Sequence, residues 1–112
     1  MKSRGEKELE ELENVFKALA HASRRHILVV LNARGGTMTA GEIAGRFSCS
    51  WPTTTRHLRL LQDAGLINMK RQGREWVYVL NTECFTGVIN RWVGWFNAES
   101  KNNIGKEIES ET

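Results

Sequence analysis

The stretch "SWPTTTRHLRLLQDAGLI", residues 50–67, contains the main signals from which the fold of this chain of 112 residues is predicted. Ser50 is a residue type that caps the start of a helix, and Pro52 stands near the first helical position, where a missing N–H costs no hydrogen bond. Gly65 is typical of the residue that ends a helix. The stretch therefore predicts a short, well-bounded helix.

The two faces of this helix differ in chemistry. Spacings of four and three residues place an apolar stripe toward the core, made of Thr54, Leu58 and Leu61. The opposite face carries Pro52, Thr55, Arg56, Arg59 and Asp63. In the major groove of DNA, Arg can pair with guanine O6 and N7, and Thr can bond a base edge or touch a thymine methyl. The pattern indicates a recognition helix.

The distribution of charge supports this interpretation. Residues 50–74 hold five basic residues against one acidic residue, a net charge of +4, although the whole chain carries only +3. Residues 1–13 and 99–112 each carry a net charge of −2. A basic middle between acidic ends indicates a polyanionic partner, for which double-stranded DNA is the natural candidate.

The sequence before this helix predicts three further helices. Apolar spacing favours a first helix from about Lys7 to Ala20. Ser23 is the expected N-cap of a second helix that stops at Gly35-Gly36, and Thr39 with Glu42 forms a capping box for a short third helix.

After Gly65 the periodicity becomes that of strands. The runs "LINMKR" and "EWVYVL" are joined by Gln72-Gly73-Arg74 and predict a hairpin, and a last helix opens at Thr82. A helix, a tight turn, a second helix and a two-stranded ribbon make a winged helix-turn-helix. The predicted fold class is mainly α (α+β), with one two-stranded β-hairpin as the wing.

The hairpin supplies a second basic element where a wing needs one, at Lys70, Arg71 and Arg74. Two such elements together favour DNA binding over a merely solvated helix. Ser50 and the helix N-terminus suit a phosphate, whereas Trp51 either contacts DNA or braces the turn. The candidate DNA-binding residues are Ser50, Trp51, Pro52, Thr55, Arg56, Arg59, Lys70, Arg71 and Arg74.

The last helix is apolar over much of its girth, which is typical of a helix buried on two sides. In a chain of this size the second side is most simply a symmetry mate, so we expect a homodimer. The expected interface is Leu12, Phe16, Phe85, Val88, Ile89, Trp92 and Phe96. One domain over residues 1–98 then combines DNA binding and dimerisation, and residues 99–112 form a flexible tail.

Three segments carry a resemblance to a known family: "VFKALAHASRRHILVVL", "MTAGEIAGRFSCSWPTTTRHLRLLQDAGLI" and "KRQGREWVYVLN". Over roughly residues 9–97 the chain resembles the ArsR/SmtB family of bacterial winged-helix repressors. The resemblance implies a homodimer built on the first and last helices, a palindromic operator and release by a small-molecule inducer. The N-terminus lacks the apolar stretch of a signal peptide, so a cytoplasmic, nucleoid-associated location is expected. The resemblance places recognition contacts on Trp51, Pro52, Thr55 and Arg56, and wing contacts on Arg71 and Arg74.

The chain departs from the metal-sensing members of that family. Thr39 and Gly41 stand where those members carry a pair of Cys, and the last helix lacks His. We expect His21 to cap or hydrogen-bond locally, with His26 and His57 beside the core faces of their helices. No metal or cofactor is therefore expected. The sequence also shows no nucleophile–base pair, carboxylate dyad or phosphate loop, so the chain is predicted not to be an enzyme.

Two alternatives remain open at this stage. A winged-helix interaction module, such as an antirepressor, would use the same fold to bind a protein. A thiol-based redox-sensing repressor would act through Cys49 and Cys84, which otherwise are small reduced fillers. No signal peptide or membrane span is recognised, so no membrane partner is expected.

Overall fold

A computed structural model describes residues 1–97 of the chain. The elements follow in the order α1 (Arg4–Leu19), α2 (Ala22–Ala33), β1 (Thr37–Thr39), α3 (Ala40–Arg46), α4 (Trp51–Asp63), β2 (Ile67–Gln72), β3 (Glu75–Leu80) and α5 (Thr82–Gly94). The five helices and the hairpin confirm the predicted winged helix-turn-helix. The predicted tail, residues 99–112, lies outside the described residues.

Two helix starts differ from the prediction because other residues cap them. The α1 helix begins at Arg4, since the Ser3 hydroxyl accepts a hydrogen bond from the backbone N–H of Glu6 at 3.1 Å. The N-cap of α2 is His21, whose Nδ1 accepts from the backbone N–H of Ser23 at 3.1 Å. His21 thus makes the expected local bond, and Ser23 is not the cap.

The caps around the helix-turn-helix are those predicted. Thr39 accepts from the backbone N–H of Glu42 at 3.1 Å, and the Glu42 carboxylate accepts from the backbone N–H of Thr39 at 3.0 Å. At the end of α4, Gly65 has a φ of +81°, and a Cβ there would lie 3.0 Å from the Sγ of Cys84. Both the conformation and the space therefore favour glycine.

The sheet has one strand more than predicted. Its order is β1-β3-β2, all antiparallel, and β1 pairs Met38 with Tyr78. Because β1 spans only three residues, it shows no alternating pattern that the sequence could reveal. In the hairpin, Gly73 alone takes a positive φ of +63°, the arrangement of a two-residue turn with glycine first.

The core lies between α1, α2, α4 and the sheet. Thr54, Leu58 and Leu61 are buried, which confirms the core-facing stripe of α4. Leu12 on α1 and Val88 on α5 also belong to this core, with 3% and 6% of their surface exposed. Packing within one chain already covers both side chains, and their part in a dimer interface stays a prediction.

Candidate nucleic-acid interface

The α4 helix presents its basic side chains to solvent. Arg56 and Arg59 are exposed, as are Ser50 and Pro52 at its start. Ser50 both caps the helix, accepting from the backbone N–H of Thr53 at 3.4 Å, and donates its hydroxyl to the Thr53 Oγ1 at 3.0 Å. These two hydrogen bonds to Thr53 fix the first turn, so the outward residues that follow have a defined direction.

Trp51 and Thr55, which are also predicted to contact DNA, differ in how much they are exposed to solvent. Trp51 has 41% of its surface exposed and makes no aromatic ring contact with another residue of the described range. Thr55 is half-buried, and its hydroxyl oxygen is shielded from solvent without a hydrogen-bond partner among residues 1–97. In this conformation Thr55 does not offer its hydroxyl to a base.

The wing holds one of its cations in place. The Arg71 guanidinium lies 5.1 Å from the centroid of the Trp76 ring, its partner across the hairpin, and its Nε donates to the Gly73 carbonyl at 3.4 Å. Trp76 is 44% exposed. Sequence reasoning missed Trp76, since the stack becomes visible only when the strand register pairs it with Arg71.

The basic residues of α4 and the wing form one set, here called the cationic face: Arg56, Arg59, Lys70, Arg71 and Arg74. All five are exposed. Every ion pair found within residues 1–97 uses a different cation, namely Lys2, Arg4, Arg34 or Arg91. The cationic face therefore has no internal counter-ion in the described part of the chain, and its charge is available to an anionic partner.

A set of contacts that the sequence did not reveal holds α4 on its core-facing side. Arg24 on α2 donates to the carbonyls of Ala18 at 2.7 Å and Lys17 at 3.1 Å, at the end of α1. Its Nη1 also lies 3.2 Å from the Nδ1 of His57 on α4. One guanidinium thus connects three helices, and it sets the position of the recognition helix relative to α1.

His57 is held in its neutral form by this environment. Burial is the main cause that lowers the pKa of His57 below its ordinary value, and the nearby charges of His21, Arg24 and Arg56 lower it further. Only the neutral ring can accept the hydrogen bond from Arg24. The ring of His21 lies 4.6 Å from that of His57 and completes the cluster.

Comparisons with known proteins agree with this geometry. A family model described as a helix-turn-helix domain matches residues 19–70. The transcriptional repressor SdpR of Bacillus subtilis is 41% identical over 86 residues, which cover 77% of this chain and 93% of that protein. An arsenical resistance operon repressor of Staphylococcus xylosus is 30% identical over 100 residues, covering 89% and 93%.

Solved structures show the same fold. A crystal structure of an ArsR family transcriptional regulator is 33% identical with a TM-score of 0.66, covering 76% of this chain and 84% of that one. The chain belongs to the ArsR family. A solution structure of a homodimeric winged helix-turn-helix DNA-binding domain from Mycobacterium bovis, 24% identical with a TM-score of 0.66, covers 83% of this chain and 85% of its own and shares the fold.

This ArsR-family chain is accordingly a transcriptional regulator with a winged helix-turn-helix DNA-binding domain, and not an enzyme. Within the described range, no cluster of three or more His, Cys, Asp or Glu side chains is arranged to hold a metal ion. No helix of residues 1–97 has the length and apolar character that crossing a membrane requires.

A second surface of the ArsR-family chain lies on α1 and α5, and we call it the aromatic face: Phe16, Trp92, Val93 and Phe96. The Phe16 and Trp92 rings meet edge to face at 5.1 Å, and those of Trp92 and Phe96 at 5.5 Å. Phe16, Val93 and Phe96 are 36%, 51% and 71% exposed. Of the other predicted interface residues, Phe85 and Ile89 are half-buried against the core.

The two cysteines lie at opposite ends of α4. Cys49 precedes the helix, whereas the Sγ of Cys84 packs 3.9 Å from the carbonyl of Ala64 at its far end. A helix of 13 residues spans about 20 Å, and a disulfide needs Cα atoms within about 7 Å. A disulfide between Cys49 and Cys84 of one chain is therefore excluded by this fold.

Proposed function

We propose that the chain is a homodimeric repressor that binds a palindromic operator, with α4 in the major groove and the hairpin along the backbone or minor groove. The observation that carries the proposal is the cationic face. Five exposed basic side chains on these two elements lack an ion-pair partner within residues 1–97, and they match the places where a winged helix meets DNA.

The side chains divide between reading and positioning. Arg56, in the first half of α4, is proposed to contact base edges together with Trp51, Pro52 and Thr55; Thr55 must rotate to present its hydroxyl. The remaining contacts, by Ser50, Arg59, Lys70, Arg71 and Arg74, are proposed to go to phosphate and sugar. Phosphate contacts supply affinity and salt dependence, and base contacts supply sequence preference.

The aromatic face supports the homodimer. Exposed aromatic rings on two packed helices form an apolar patch of the kind that marks a protein interface. The Mycobacterium bovis neighbour of the same fold is described as homodimeric. Two recognition helices related by a two-fold axis would then meet half-sites about one helical turn, roughly 34–36 Å, apart.

Release from the operator is proposed to follow binding of a small-molecule inducer, with no metal required. Operator affinity should therefore be the same with added zinc as with a strong chelator. Stoichiometric zinc binding that abolishes DNA binding would contradict the proposal.

The test combines a selection from random duplex DNA with a pair of charge-matched variants. The selection should enrich a palindrome, and light scattering should give the mass of a dimer. Arg56→Gln with Arg59→Gln should abolish operator binding. The control, Arg4→Gln with Arg34→Gln, removes the same charge from side chains already paired with Glu8 and Glu42 and should bind normally. No enrichment from random DNA would favour a protein-interaction module instead.

A further inference from the structure

A cavity lies behind the recognition helix, between α2, the end of α3 and the inner face of α4. Its volume is about 200 Å³, far more than the ~10–15 Å³ that a single water needs. Ile27 and Phe47 form the apolar part of the wall. The polar part consists of Ser23, His26, Arg46, Ser48, Thr54 and His57, beside the thiol of Cys49.

Hydrogen-bond donors predominate in the polar wall. It offers a guanidinium, two imidazoles and three hydroxyls, and no carboxylate of residues 1–97 lines it. Two guanidinium groups of the same sign flank His57, Arg24 of α2 and Arg56 of α4. Such a concentration of donors and positive charge favours an anion.

Two buried polar side chains, Thr54 and His57, form the inner wall of this cavity. His57 is 93% buried and Thr54 98% buried, since their exposed fractions are 7% and 2%. The Nδ1 of His57 is occupied by Arg24, and its other ring nitrogen has no hydrogen-bond partner within the described residues. Because Nδ1 accepts from the Arg24 guanidinium, the proton of the neutral ring lies on Nε2, which can donate a hydrogen bond to a bound anion.

We propose that this cavity binds a small free anion, a carboxylate or an oxyanion, held by Arg46, His57 and the neighbouring hydroxyls. The anion would contact α2 through Ser23 and His26, α3 through Arg46, and α4 through Thr54 and His57. Because it joins the recognition helix to α2 and α3, its occupancy biases how α4 is held. The inference rests on the proposed function, since it gives the proposed effector a place and a charge class.

The site can be tested on the protein without DNA, so its failure is distinct from failure of operator binding. Sodium phosphate and sodium acetate are titrated separately at constant ionic strength, followed by calorimetry and by the NMR signals of the His57 ring. At least one probe should bind saturably with a Kd of about 1 mM or tighter. Saturation should also raise the pKa of His57, because a bound anion stabilises the imidazolium.

Variants locate the site. Arg46→Gln should weaken binding about tenfold or more, the order expected when a charge-assisted hydrogen bond to an anion is removed. Arg46 is exposed, so this variant keeps the fold, whereas His57→Gln alters a buried side chain. Arg34→Gln removes the same charge from the far end of α2 and should retain the affinity of the parent protein.

Three results would overturn the proposal. Absence of saturation with both probes leaves an empty solvent pocket. Binding that Arg46→Gln does not change means an adventitious ion only. A lower salt slope of DNA binding in Arg46→Gln, by about one unit without any added probe, assigns the cavity to a backbone phosphate of DNA instead of a free anion.

Discussion

The cationic face and the aromatic face differ in what they expose to solvent: the first exposes charged side chains and the second exposes apolar ones. On α4 and the wing, five exposed cations lack ion-pair partners within residues 1–97, whereas on α5 Arg91 is paired with Glu11 at 2.9 Å. The aromatic face instead exposes rings that already touch one another. Charge left unpaired suits a partner that brings counter-charge, and apolar surface left uncovered suits a second copy.

The largest effect is expected from breaking the aromatic face. Phe96→Asp places a charge in the proposed interface and should destabilise the dimer by about 2–4 kcal/mol, with a parallel loss of operator affinity. Phe96 is 71% exposed in the single chain, so the domain itself should fold normally. Sedimentation equilibrium measures the effect.

The matched control is Val29→Asp, on α2. Val29 is also an exposed apolar residue, at 65%, but it lies outside the aromatic face. It should leave the dimer intact. Equal dissociation in both variants, or none in either, would show that the two copies meet elsewhere.

The next largest effect is expected for Arg56, and it tests the role of α4 within the cationic face. Arg56→Ala should cost about 1–3 kcal/mol on the operator and almost nothing on random DNA, because a base contact carries sequence preference. Salt titrations on operator and scrambled duplexes give both numbers. Equal weakening on the two duplexes would make Arg56 a phosphate contact.

A smaller and less selective effect is expected on the wing. Arg74→Ala should weaken binding to both duplexes and lower the salt slope by about one unit for each phosphate that Arg74 neutralises. Arg71→Ala should act in the same direction and also release the exposed Trp76 ring, which a change in indole fluorescence would report. A loss of sequence preference in Arg74→Ala would instead place the wing on base edges.

The smallest effect concerns the support behind the cationic face. Because the pKa of His57 is lowered in the folded chain, the unfolded chain binds its proton more readily. The contribution of His57 to the free energy of unfolding should therefore be fully present above pH 6.5 and decrease as the pH falls through the lowered pKa. Urea denaturation from pH 7.5 to pH 5.5, near the ordinary range of His, measures this decrease.

His57→Gln should flatten this dependence on pH. His26→Gln removes an exposed imidazole of α2 and should leave the dependence in place. A steep decrease that survives in His57→Gln would show that another group takes up the proton.

Much of the candidate site could be predicted because its signals are local. The cap at Ser50, the glycine at position 65 and the core stripe of α4 lie within one short segment, and together they leave Arg56 and Arg59 facing outward. The burial of the Thr55 hydroxyl could not be predicted in this way. The position of Thr55 between the two faces leaves its hydroxyl shielded, and helical spacing alone does not resolve that.

The helices, the hairpin and the sign of the charge on each segment could be predicted, because capping, periodicity and composition act between residues close in the chain. Which apolar residues of α1 and α5 remain exposed depends instead on how the helices pack. Leu12 and Phe16 lie four residues apart on one helix, yet the first packs in the core and the second contacts Trp92 at the surface. Likewise, Arg24 meets His57 across 33 residues of chain, a contact that exists only once α1, α2 and α4 have packed together.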